Sequence, residues 1–120
     1  MRLRAYARAV PAKDARPLVT HIDVGDGWEQ DEETGGLVRM VRDDDSVLVG
    51  LWKPNGAAGR KIDYVLDADE TLVVLKGHGE VRVDGGEPIA LRPGVVVSLS
   101  RGCRLSWLVD EEFRELWIYS

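Results

Sequence analysis

The stretch from Glu70 to Trp107, ETLVVLKGHGEVRVDGGEPIALRPGVVVSLSRGCRLSW, constrains the fold more than any other part of the chain. Short apolar segments alternate with glycine-bearing turns, and none has the length or period of an amphipathic helix. ETLVVLK and EVRVDG flank Gly77-His78-Gly79, a three-residue link of hairpin type, and Gly85-Gly86 ends the second of them. EPIALRPG, VVVSLS, CRLSWLV and FRELWIYS continue the series.

Upstream, PLVTHIDVG (17–25), LVRMVR (37–42), SVLVGLWKP (46–54) and KIDYVL (61–66) read as further strands. About nine or ten short strands with closely spaced turns predict an all-β sandwich or barrel. VLVGLW and VVVSL are apolar at both parities, so both faces of those strands need cover. Either two packed sheets or a partner molecule supplies that cover, so a small barrel and a dimer are both expected.

Residues 1–16 mix Arg, Ala and Pro11 without a period and read as an N-terminal arm, leaving 17–120 as the barrel domain. At 120 residues the chain can bury one core but not two. No run approaches the 18 or more apolar residues of a membrane span, and the basic start MRLRAYARAV lacks the apolar core of a secretory leader. A net charge of -5 without a Lys/Arg stripe argues against nucleic-acid binding. Cys103 is the sole cysteine, which fits a reducing cytoplasm. The acidic triplets 31–33, 43–45 and 110–112 read as solvated turns.

The central stretch resembles the cupins. Glu70, TLVVLK and Gly77 match the second half of the family's first motif. Gly94, VVVSL, Ser100-Arg101-Gly102, Cys103-Arg104 and Leu105 follow the frame of the second. Trp107, two residues after the second-motif histidine position, and the closing RELWIYS are similar to the small single-domain cupins related to ureidoglycine aminohydrolase and ethanolamine-utilisation proteins. The resemblance spans about residues 45–119 and implies a single-domain jelly-roll barrel, or double-stranded β-helix.

The resemblance also exposes what is missing. The His-x-His positions fall on Tyr64 and Leu66 or on Asp63 and Val65, and the second-motif histidine position is Leu105. Of the family's four metal ligands only Glu70 remains, and one carboxylate does not make a transition-metal site. Neither a metal nor another cofactor is expected, and His21 and His78 read as surface or turn residues.

If Glu70 points inward as in the family, strand alternation puts Leu72 and Val74 beside it; an inward Leu105 brings Cys103 and Trp107. Tyr64 and Trp52 add further walls. Apolar walls with a few convergent polar groups describe a small-molecule pocket. One expectation is therefore a metal-independent cupin that binds a small, partly apolar molecule. The other is a metal-free isomerase, cyclase, lyase or hydrolase, with Glu70 as general acid or base and Tyr64 as its companion. Lys61, Arg92 and Arg104 are possible partners for Glu70. A homodimer is expected in either case.

Overall fold

The computed structural model describes residues 20–120, which form ten strands and no helix. The N-terminal arm, 1–16, and the start of the first expected strand, 17–19, lie outside the described residues. The strands are β1 (Glu29–Gln30), β2 (Leu37–Asp43), β3 (Leu48–Lys53), β4 (Lys61–Val65) and β5 (Glu70–Lys76). They continue as β6 (Gly79–Val83), β7 (Ile89–Leu91), β8 (Val96–Leu99), β9 (Arg104–Val109) and β10 (Arg114–Tyr119).

All pairing is antiparallel. One sheet has the order β1-β2-β3-β10-β5-β8, and the other β4-β9-β6-β7. This jelly-roll arrangement encloses one apolar core between two sheets. No helix among the described residues is long and apolar enough to cross a membrane.

Two expectations are corrected. PLVTHIDVG does not supply a strand within 20–25, where Val24 and Gly25 already turn; the sheet instead begins at Glu29. Gly77-His78-Gly79 does not close a hairpin, because β5 pairs with β10 and β8 whereas β6 pairs with β9 and β7. The link carries the chain from one sheet to the other. Gly77 has a φ of 77°, and a side chain there would meet the Phe113 backbone at 2.5 Å. The backbone of His78 and the carboxylate of Asp110 complete the crossing, Asp110 accepting from the His78 N–H at 3.0 Å.

Alternation sets the inner face of the larger sheet. Across it run three rows: Val38, Trp52, Glu115 and Val74; Met40, Gly50, Trp117, Leu72 and Val97; and Leu48, Tyr119, Glu70 and Leu99. A register shift on the β5 and β10 ladder leaves Leu75 unpaired, so Lys76 comes to lie opposite Arg114. Without that extra residue Lys76 would share the inward parity of Glu70, Leu72 and Val74; with it, the lysine is exposed.

Candidate functional site

At one end of the barrel, two cross-strand pairs face each other across the sheet interface. Trp52 lies opposite Glu115 in the larger sheet, and Ile62 lies opposite Trp107 in the smaller. Tyr64 and Val109, one step along the same strands, and Thr34 and Phe113, from flanking loops, close a cavity of about 10 Å³. That is roughly the space of one water molecule.

Each wall is fixed by a separate contact. The Thr34 hydroxyl donates to Asp31 Oδ2 at 2.8 Å and accepts from Trp52 Nε1 at 2.9 Å. Asp31, expected in a solvated turn, is fully buried; its backbone closes the loop through Asp31 N–H to the Gly36 carbonyl, 2.8 Å. Trp52 meets Phe113 edge-on with centroids 6.2 Å apart. A Cβ at Gly36 would sit 2.5 Å from the Trp52 ring, so only glycine lets the loop lie on that indole. Trp107 is buried, and its indole N–H has no hydrogen-bond partner among the described residues.

Just outside, Lys53 Nζ lies 4.3 Å from the centroid of Trp28. Partial burial, with the nearby Arg114 charge, holds this lysine below its ordinary value. Both cations sit on the outer surface; the cavity lining contains no Lys, Arg or His.

Of the residues expected to form a site, Tyr64, Trp52 and Trp107 come together around this cavity. Glu70 does not line it. Glu70 is fully buried two rows away, opposite Tyr119 and Leu99, its level separated from that of Glu115 by four residue steps along β10, about 13 Å of strand. Leu72, Val74 and Leu105 are closed into the core, and Cys103 packs against its edge. Lys61, Arg92 and Arg104 are exposed.

Glu115 is the lining carboxylate that the sequence reading overlooked, together with Thr34, Ile62, Val109 and Phe113. Its signal was available: in RELWIY, Glu115 shares parity with Trp117 and Tyr119, by the alternation that singled out Glu70. Thr34 gave no such signal, since its place depends on how the loop after β1 folds over Trp52.

The positions of the family's metal ligands do not fit a metal. Tyr64 pairs directly with Leu105, Leu66 and Leu105 are buried apolar side chains that cannot ligate, and Glu70 lies opposite Tyr119 and Leu99. Among the described residues no three His, Cys, Asp or Glu side chains converge. His21 and His78 are exposed, with His78 Nδ1 3.9 Å from Asp110. A second depression of about 200 Å³, at Asp67, Asp69, Arg101 and Ser120, is wide and polar. Its polar groups already bind each other, Asp69 accepting from the Arg101 N–H at 2.8 Å.

The family described as EutQ-like cupin domain matches residues 41–116. Among curated proteins none matches the chain. Solved structures share the fold at low identity. Ethanolamine utilization protein Q from Salmonella typhimurium has a TM-score of 0.65 and 18% identity, over 84% of this chain and 91% of that one. KdgF from a Halomonas species has a TM-score of 0.68 and 18% identity, over 86% and 94%. An RmlC-like cupin from Shewanella frigidimarina has a TM-score of 0.68 and 16% identity, over 83% and 89%.

Proposed function

The chain belongs to the EutQ-like cupin family, and from that premise we propose that it binds a small, partly apolar molecule between its sheets without a metal. One observation carries this reading. Trp52, Tyr64, Trp107 and Phe113 surround a cavity that also has the Glu115 carboxylate on its wall and the Trp107 N–H, which has no partner among the described residues. Core packing alone explains aromatic rings; it does not explain an indole donor left without an acceptor, which costs about 1–3 kcal/mol. A ligand acceptor would recover that loss.

The enzyme reading draws support from the two ionisable side chains, Tyr64 and Glu115, that share the cavity wall. Glu70, a further buried carboxylate, would act in the core two rows from the cavity. The reading also includes a homodimer, supported by exposed apolar side chains on the outer face of the larger sheet.

A fragment titration followed by indole and phenol NMR resonances tests the binding site. Binders are expected to move Trp52, Trp107 and Tyr64 together. Fragments that bind only at Asp67 and Arg101, leaving those three signals still, would count against it. For the enzyme reading, turnover that survives Glu70→Gln but not Glu115→Gln would move the proton-transfer role to Glu115.

A further inference from the structure

We propose that the outer face of the larger sheet carries a second binding site, for a doubly charged oxyanion: inorganic phosphate or the phosphoryl group of a phosphomonoester. Arg39, Lys53 and Arg114 hold it beside Trp28. The site is independent of the cavity. Lys53 and Arg114 adjoin the pair of Trp52 and Glu115 in sequence, but they point to the opposite side of the sheet.

Alternation and one irregularity bring these charges together. Val38, Trp52, Glu115 and Val74 face inward, so Arg39, Lys53 and Arg114 face outward from β2, β3 and β10, which are neighbours in the sheet. The shift at Leu75 then sets Lys76 of β5 opposite Arg114, a like-charge cross-strand pair. Such a pair is destabilising by itself, and a bound counter-charge removes the repulsion.

The loop ahead of β1 completes the site. Trp28 Nε1–H donates to the Val24 carbonyl at 2.8 Å, which fixes the ring. Lys53 Nζ lies 4.3 Å and Arg114 Cζ 5.4 Å from the ring centroid, so one indole holds two cations. A Cβ at Gly27 would come within 2.8 Å of Arg39 Nε and Cζ, so the same loop lies directly on the Arg39 guanidinium.

The protein does not neutralise this cluster. Among the described residues no carboxylate forms an ion pair with Arg39, Lys53, Arg114 or Lys76. The Nε atoms of Arg39 and Arg114 are both buried, and neither has a hydrogen-bond partner among those residues. A charged donor taken from water without an acceptor is costly, and an anion seated there restores the acceptor. Burial first, and the Arg114 charge second, hold Lys53 below its ordinary value, as a local shortage of negative charge requires. The whole chain has a net charge of -5, so the excess is particular to this patch. One carboxylate would leave most of it uncompensated. A phosphoryl group brings about two charges and three acceptor oxygens, and its geometry suits guanidinium forks.

Inorganic phosphate, phenyl phosphate and acetate, each exchanged against chloride at constant ionic strength, test the site on the intact protein. The Arg39 and Arg114 Nε–H and the Trp28 indole N–H resonances are followed. Phosphate should move all three together and saturate. Acetate should bind at least about tenfold more weakly, the scale of one charge-assisted hydrogen bond. Tighter binding of phenyl phosphate than of phosphate assigns the anion to an organic carrier beside the indole; binding no tighter assigns the free ion. Arg114→Gln should weaken phosphate by about tenfold or more while the Trp107 signal stays in place. Should that variant misfold, Lys53→Met keeps an apolar stem on Trp28 and loses the charge, with the same loss expected. Shifts that do not saturate, or acetate bound as tightly as phosphate, would overturn the site. Unchanged phosphate affinity in the folded variants would do the same.

Discussion

Asp44 illustrates how much one partly buried side chain at the surface can organise. It follows β2, and its Oδ1 accepts from the N–H groups of Ser46 at 2.9 Å and Val47 at 2.8 Å while Oδ2 accepts from Arg42. The Val47 N–H first, then Arg42 and Ser46, hold this carboxyl well below its ordinary 3.8. Because the folded pKa is depressed, the stabilisation is present above 3.8 and fades as pH falls through and below it. Asp44→Asn should therefore lower the urea midpoint at pH 7, with the gap from wild type narrowing below 3.8. A gap unchanged between pH 7 and the acid limit would show that the charge is irrelevant there. Its neighbour triplets act similarly: Asp31 and Asp110 each bind nearby backbone N–H groups. Acidic clusters read as solvated charge are here the hydrogen-bond acceptors of turns.

Among the elements, β3 and β10 set the level of the interior by matching a missing side chain to a large one. Gly50 lies opposite Trp117, and a Cβ on Gly50 would meet that ring at 2.5 Å. Trp117 is fully buried, so the ring has nowhere to retreat. Gly50→Ala should cost about 1–3 kcal/mol from overpacking, seen as a lowered urea midpoint with an unchanged slope. An unaltered midpoint would mean that Trp117 repacks freely. The same strand pair carries Trp52 opposite Glu115, so the spacing that fills the core at Gly50 also places the cavity wall two residues away. Strand alternation was legible in the sequence. The sheet to which each strand belongs was not, as the link at Gly77 makes plain: a short glycine turn serves a hairpin and an inter-sheet crossing equally well.

For the whole molecule, the outer face of the larger sheet carries an apolar strip. Buried Leu51 and the more open Leu116, Val73 and Val96 form one cross-strand row that begins at Arg39, and Ile118 lies on the next beside Thr71 and Ser98. Val96 is 63% exposed and Ile118 36%, next to partly buried neighbours. Such a surface suits a second copy, and the protein is expected to run as a dimer by light scattering at micromolar concentration. Val96→Glu with Ile118→Glu should give a folded monomer. A wild-type monomer, or a double variant that remains dimeric, would remove this face as the interface.

The sequence by itself determined the all-β class, the approximate strand set, the cupin resemblance and the loss of the family's histidines. Each of these follows from local order: a period of two, glycines at turns, and residue types at fixed spacings. It also identified Trp52, Tyr64 and Trp107, three of the cavity walls. Tertiary structure decided that Glu115, not Glu70, is the carboxylate beside them. Both residues have inward parity and both are buried, so parity could not choose between them. The choice depends on which strands face across the barrel and at what level. That is set by long-range register, β3 against β10 and β4 against β9, which no local pattern encodes.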